Sequence, residues 1–165
     1  MEIVNEKWQE EIRYVFEEIK DDRDYLDEDG WENENLFLGI IWEMSMTAFD
    51  IEREVQVVID NNDNIYCSFG SPSFVEFTEA PIGMKLPIKC WIHTHPFGKA
   101  YFSGTDWRTI KTWEPVMEQA IVLGDNEKMV WNNFDKEYTL FFANIDIPNF
   151  DKYQTLLSDF EEEEE

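Results

Sequence analysis

The sequence predicts an α+β domain in which a mostly antiparallel, mixed sheet is flanked by helices. Helical patterns lie near both ends of the chain, short strand-like runs fill the first half, and three apolar runs follow one another in the second half. Strands grouped in this way favour α+β over a regular alternation of strand and helix. The 165 residues suit one domain. We expect it to cover residues 1–160 and to be followed by an acidic tail at 161–165.

Three segments have the pattern of helices. Residues 6–23 are predicted to form an amphipathic helix because apolar side chains recur at helical spacing, at Trp8, Ile12, Val15, Phe16 and Ile19. A second helix is predicted to begin at Ser103 and to end near Trp113, since the residue before Pro115 disfavours helical backbone. A third is predicted after Pro148 from a further apolar stripe, made of Phe150, Tyr153, Leu156, Leu157 and Phe160.

The strand predictions rest on alternating or continuous short apolar runs bounded by turn residues. Residues 21–35 read as an acidic loop, and residues 36–42 fit either a buried strand or a helical turn. The predicted strands are residues 44–49, 55–59, 65–69, 74–77 and 88–93, with a turn at 61–64, and then a meander of 120–123, 129–131 and 138–143.

Composition excludes several classes of partner. The net charge is -24, from 37 acidic and 13 basic residues, which argues against nucleic acid and anionic membrane as partners. The 43% hydrophobic content indicates a packed domain rather than a disordered acidic chain. Cys67 and Cys90 form neither a disulfide framework nor a thiolate zinc motif. Since no signal peptide or apolar run of transmembrane length is visible, we expect a soluble, cytoplasmic protein.

The two histidines of the chain, His93 and His95, stand at the end of a predicted strand. Residues two apart in a strand face the same side, so both imidazoles can bind one ion. Asp106 lies eleven positions beyond His95, and three such ligands leave a fourth position open, as in catalytic zinc sites. The plainer interpretation is that Ser103 caps a helix and Asp106 lies in its first turn.

These residues resemble the motif of the JAMM (MPN+) metalloproteases, in which an upstream Glu is followed by His-x-His, ten residues and Asp. The ten residues here are 96–105, Pro96 follows the second histidine, and Ser103 stands three before Asp106. The resemblance covers roughly residues 36–145. It implies a cytidine-deaminase-like, MPN-type architecture of the compact prokaryotic or viral kind. The implied activity is that of a zinc-dependent isopeptidase or peptidase removing ubiquitin-like modifiers.

Peptide hydrolysis also needs a carboxylate that transfers protons, and the family places it on a Glu just before a strand and hairpin. Glu43 is the expected general acid/base because it precedes the predicted strand 44–49, with Glu32 and Glu34 as alternatives. The resemblance also implies that the Ser103 hydroxyl stabilises the reacting oxygen. Trp91 shares the face of the histidines, where it either lines the site or packs in the core.

Two other functions stay open at this point. A noncatalytic MPN-type scaffold is one, although such proteins typically lack the histidines and aspartate found here. The other is a DNA-repair-associated protein of the RadC type, whose His-x-His-Pro-x-Gly motif is partly echoed by Phe97 and Gly98. The acidic composition argues against a role on DNA.

Overall fold

The computed structural model describes residues 2–19, 31–47, 53–69, 83–96, 98–125 and 127–141. Within these ranges the chain forms three α-helices, a short 3₁₀ turn and six strands. The helices are α1 (Glu2–Ile19), α2 (Trp31–Thr47) and α3 (Gly104–Trp113), and the strands are β1 (Val55–Ile59), β2 (Ile65–Phe69), β3 (Cys90–Thr94), β4 (Gln119–Gly124), β5 (Glu127–Asn132) and β6 (Glu137–Phe141).

The six strands form one sheet in the order β2-β1-β3-β4-β5-β6. The β3–β4 pair is parallel and the other four pairs are antiparallel. The α+β class with a mostly antiparallel, mixed sheet is therefore confirmed. β3 is an interior strand, hydrogen-bonded to β1 on one side and to β4 on the other.

Each face of the sheet carries its own apolar core. On one face, side chains of α1 and α2 pack against strand residues, and this core includes Ile12, Phe16, Ile41, Val57 and Ile92. On the other face α3 supplies Ile110 and Trp113, which cluster with Trp91, Val122 and Trp131. Alternate residues of β3 thus serve opposite cores, as a pleated strand requires. Each fully buried side chain of this size contributes about 1.5–3 kcal/mol to folding.

The strand predicted at residues 44–49 is wrong over 44–47, because α2 extends from Trp31 to Thr47. Residues 36–42 are helical as well, and 31–35 belong to α2 rather than to an acidic loop. The physical reason is the spacing of the buried residues: Phe37, Ile40, Ile41 and Met44 lie three or four apart and are at most 1% exposed. The alternation of Met44 and Met46 was too short to indicate a strand.

Most of the other predicted elements are confirmed. The helix predicted at 6–23 is α1 over residues 6–19, and residues 20–23 lie outside the described ranges. β1 and β2 have the predicted bounds, and the three-stranded meander is β4–β6, with residues 142–143 again outside the described ranges. The strand predicted at 88–93 begins at Cys90, while Ile88 makes only an isolated bridge to Met117. The strand predicted at 74–77, the C-terminal helix and the tail 161–165 lie outside the described residues. In the ranges described, no helix has the length and apolarity needed to cross a membrane.

Candidate metal centre

His93 and His95 are held at the carboxyl end of β3. His93 lies in the strand, opposite Gln56 of β1 and beside Val122 of β4. His95 follows the last strand residue, and its backbone N–H still donates to the Leu123 carbonyl at 2.8 Å. This extra bond continues the strand geometry by one residue. The two imidazoles therefore share a face, with ring centroids 5.2 Å apart.

Asp106 reaches the histidines from the first turn of α3. The Ser103 side chain accepts a hydrogen bond from the Asp106 N–H at 3.1 Å, and the Ser103 N–H donates to Asp106 Oδ2 at 2.9 Å. This reciprocal capping box fixes both the start of the helix and the direction of the carboxylate. The interpretation of Ser103 as a helix cap is confirmed. Its role as a hydroxyl that stabilises the reacting oxygen stays a prediction.

The three predicted ligands converge on one point. Asp106 Oδ2 lies 3.0 Å from His93 Nε2 and 3.1 Å from His95 Nε2. The candidate ligand atoms all lie within 4.8 Å of one another. The side chains of His93 and Asp106 are buried, whereas that of His95 retains 11% of its exposure. Solvent can therefore approach the cluster on the His95 side.

The hydrogen bonds of the two imidazoles suit a bound cation. His95 Nδ1 lies 3.2 Å from the Lys99 carbonyl, to which it can only donate. His95 Nε2 then either presents a lone pair to a metal or carries a second proton toward Asp106. His93 Nε2 is close to Asp106, but the two are not aligned as a hydrogen bond, and neither ring nitrogen of His93 has an aligned partner in the described chain. A metal ion held by His93, His95 and Asp106 would give the Nε2 atom of His93 a partner.

The pKa values follow from burial and from Asp106. Burial lowers the pKa of His93 below its usual range, and the nearby Asp106 only partly offsets this. Burial also acts to lower the pKa of His95, but the hydrogen bond and charge of Asp106, the Lys99 carbonyl and the charge of Glu54 together raise it. Burial opposes ionisation of Asp106, yet the histidines and the Ser103 N–H hold its pKa far below the usual range. An ionised carboxylate and a neutral imidazole are the forms that bind metal.

The loop that follows His95 rests on the β4–β5 hairpin. The Gly98 carbonyl accepts from the Asp125 N–H at 3.1 Å, and the Ala100 N–H donates to buried Glu127 Oε1 at 3.1 Å. Gly124 lets the loop approach closely, since a Cβ there would lie 2.2 Å from the Ala100 nitrogen. These contacts hold the Lys99 carbonyl beside His95. A carbonyl in this position orients a metal-binding imidazole.

Glu54 is the acidic residue that the sequence interpretation missed. The β1–β3 register pairs Gln56 with His93, and Glu54 lies two residues before Gln56, just outside β1. Glu54 is 8% exposed, and its charge contributes to raising the pKa of His95. The sequence did carry a signal, because an acid directly precedes the strand 55–59.

Glu43 lies in α2, so the strand that motivated its choice is absent. Its side chain is partly buried, and its role as acid/base stays a prediction without that support. Glu32 and Glu34 belong to the first turns of the same helix, and their side chains lie outside the described part of the structure.

Aromatic rings surround the histidines. Trp91 is fully buried and stacks on His93 with centroids 4.3 Å apart. Its Nε1–H donates to Gln56 Oε1 at 3.0 Å, which satisfies the indole without exposing it. Trp91 is thus both a core residue and a wall of the site. Tyr101 stands at the open side, 53% exposed and with its ring 4.9 Å from that of His95.

The cysteines are free and do not belong to this ligand cluster. Burial raises the pKa of the Cys67 thiol to about 11, although the charge of Arg13 acts in the opposite direction. A thiol with this pKa stays protonated at neutral pH, and a metal ligand must be a thiolate. The centre is therefore a nitrogen and oxygen site.

Comparison with known proteins gives no match. No family model matches the chain, no curated protein matches it, and no solved structure matches it. The function must therefore be argued from the geometry of the site.

Proposed function

We propose that this protein is a zinc-dependent peptidase of the JAMM type, which cleaves an isopeptide or peptide bond at the tail of a ubiquitin-like protein. The observation that carries the proposal is the convergence of His93, His95 and Asp106, with the His95 side chain partly exposed to solvent. Two imidazoles and one carboxylate form a ligand set typical of catalytic zinc, which keeps a position open. The Lys99 carbonyl behind His95 adds the outer contact that such sites use.

The protein side chains have separate tasks in this reaction. A zinc ion, when bound, activates water and polarises the substrate carbonyl. His93, His95 and Asp106 hold it, and the capping box keeps the carboxylate of Asp106 from turning away. Ser103 lies beside Asp106, where its hydroxyl is a candidate donor to the reacting oxygen.

A second carboxylate is needed to carry a proton to the departing amine. Glu54 is a candidate for this task, because it directly precedes β1, two residues before the strand partner of His93, and its charge acts on His95. It is nearly buried, so water does not screen it from the reacting groups. Glu43 remains the competing candidate, and substitution separates the two.

The position of β3 limits how a substrate can bind. Both edges of β3 are already paired, so a peptide cannot extend the sheet beside the histidines. It has to approach across the carboxyl end of β3, past His95 and the exposed ring of Tyr101. An extended tail is narrow enough for this route. A net charge of -24 disfavours partners that are themselves strongly acidic.

The test begins with metal content. Elemental analysis should find one zinc per chain in the wild type, and His93→Ala and Asp106→Asn should lose it. Linear fusions and lysine-linked conjugates of ubiquitin-like proteins are then incubated with the wild type and with Glu→Gln variants. Glu54→Gln should retain zinc and lose about 10²- to 10⁴-fold in rate, the usual contribution of a general acid/base. Glu137→Gln, a change on the exposed β6, is the control.

Each other outcome has a definite meaning. Loss of turnover in Glu43→Gln, with Glu54→Gln active, would return the acid/base role to Glu43. Zinc binding without cleavage of any conjugate would favour a noncatalytic scaffold. Absence of zinc after supplementation would refute the metal centre itself.

A further inference from the structure

We infer that Thr94 and Ser45 are positioning residues, which set the backbone on both sides of Glu54 and thereby direct its carboxylate to the metal centre. Thr94 stands between the two histidines, and Ser45 lies in α2 on the other side of the sheet. The inference rests on the proposed role of Glu54. It adds a reason why that side chain lies where it does.

The evidence is a chain of buried hydrogen bonds. Thr94 Oγ1 accepts from the Val55 N–H at 3.0 Å and lies 2.8 Å from Ser45 Oγ. Ser45 Oγ in turn donates to the Arg53 carbonyl. The backbone of Ser45 adds a further link, since its carbonyl accepts from the Arg53 N–H at 3.0 Å. Residues 53 and 55, the neighbours of Glu54, are therefore both attached to the same pair of hydroxyl residues.

The donors and acceptors in this series of hydrogen bonds can be assigned in only one way. The Arg53 carbonyl can only accept, so Ser45 Oγ donates its one proton there and must accept from Thr94 Oγ1. Thr94 Oγ1 therefore donates to Ser45 Oγ and accepts from the Val55 N–H. Both hydroxyl side chains are 0% exposed, so bulk water offers no alternative partners. Hydrogen bonds that point in the same direction strengthen one another, so this series favours one local geometry.

These hydrogen bonds hold a segment that the β1–β3 ladder does not include. The ladder between these strands starts at Gln56 and His93, whereas Glu54 precedes it. Thr94 faces away from the metal because it alternates with the histidines. It can therefore bind the backbone beside Glu54 from behind, on the side away from the histidines. Loss of the Thr94 hydroxyl is therefore expected to shift the backbone of Glu54 more than the three candidate ligands.

A purely structural role for the hydroxyls predicts a different result from a positioning role. If they only satisfy buried polar groups, their loss should lower stability without a selective effect on turnover. If they position Glu54, their loss should lower kcat while KM and zinc affinity stay unchanged. The loss should also disappear when Glu54 has already been replaced.

The experiment uses Thr94→Val, which keeps the shape and removes the hydroxyl, and Thr94→Ser, which restores it. Ser45→Ala removes the other hydroxyl of the series, and it is the variant to use if Thr94→Val folds poorly. Thr139→Val is the matched control, because Thr139 is an exposed strand residue in β6. Zinc affinity is measured by chelator competition, and kcat and KM on a ubiquitin-like conjugate. The visible spectrum of the cobalt(II)-substituted protein reports on the metal surroundings without need of a substrate.

We expect Thr94→Val to lower kcat about 100-fold, as misplacement of a catalytic group by about 1 Å does. Thr94→Ser should recover most of this loss, and Thr94→Val should add almost nothing in the Glu54→Gln background. The cobalt spectrum of Thr94→Val should change in the same direction as that of Glu54→Gln. Thr139→Val should match the wild type in every measurement.

Three results would overturn the inference. The first is a wild-type kcat in both Thr94→Val and Ser45→Ala. The second is a loss of zinc affinity in Thr94→Val that parallels its loss of kcat. The third is a loss of kcat that adds fully when Thr94→Val is combined with Glu54→Gln. Failure of the proposed function is recognised separately, because the wild type itself would then cleave no conjugate. In that case the cobalt spectra decide: a shared change in Thr94→Val and Glu54→Gln supports positioning, and an unchanged Thr94→Val spectrum refutes it.

Discussion

Replacing Gly124 with alanine should damage the metal centre from a distance, through the loop that follows His95. A Cβ at position 124 would lie 2.2 Å from the Ala100 nitrogen and 2.5 Å from the Lys99 carbonyl carbon, and ordinary contact begins at 3.4 Å. The Lys99–Ala100 peptide must therefore retreat by about 1.2 Å. Because these are backbone atoms, a side-chain rotation cannot relieve the contact.

The retreat affects two measurable quantities. Overpacking of this kind lowers the free energy of unfolding by about 1–3 kcal/mol, and weakening the Ala100 to Glu127 hydrogen bond adds about 1 kcal/mol. The Lys99 carbonyl, now 3.2 Å from His95 Nδ1, moves out of hydrogen-bond range. Loss of such an outer contact weakens metal binding about 10- to 100-fold.

Urea unfolding of the metal-free protein, followed by tryptophan fluorescence, measures the first quantity, and chelator competition measures the second. Gly104→Ala is the matched control. A Cβ at position 104 meets no atom within 4 Å, and the position opens α3, where alanine is neutral or stabilising by up to about 1 kcal/mol. If Gly124→Ala behaves like Gly104→Ala in both assays, the argument that the loop orients His95 is wrong.

Two further predictions concern pH. Zinc affinity should fall as pH drops below the raised pKa of His95, because Nε2 must release its proton to bind metal. Chelator competition at several pH values tests this, and an affinity that does not change with pH contradicts it. Burial opposes ionisation of Asp60, but N–H donors of Asn62, Asn64 and Lys85 lower its pKa overall. Its stabilising effect is therefore present above the unfolded pKa of about 3.9 and lost as pH falls through the lower folded value. Asp60→Asn should lower the free energy of unfolding at pH 7 by about 1–3 kcal/mol. Urea unfolding should show that this difference from the wild type shrinks in acid, and a difference that does not change with pH would refute the argument.

Local rules were sufficient to predict which residues form the candidate metal site. The two-residue period of a strand places His93 and His95 on one face, and the capping pattern places Asp106 in the first turn of α3. Neither inference needs knowledge of the neighbouring strands. The same holds for the hairpin of β1 and β2, whose apolar runs and intervening turn are adjacent in the sequence.

The helix α2 shows where local reasoning was insufficient. Residues 36–46 are apolar enough to fit more than one kind of buried element, and period alone does not separate these for a short run. The decision came from packing, since α2 has to present Phe37, Ile41 and Met44 to the same core as α1. The strand assumed after Glu43 was wrong for this reason, and with it the argument for Glu43.

Only the tertiary structure brings Glu54 and Lys99 near the histidines and Ser45 to Thr94. Glu54 directly precedes the strand that pairs with β3, Ser45 contacts Thr94 across 49 positions of sequence, and Lys99 is held in place by the close approach to Gly124. The sequence by itself determined the three candidate ligands, because their geometry depends on backbone period and on one helix cap. The groups packed around those ligands depend on pairing between distant segments, which no local pattern encodes.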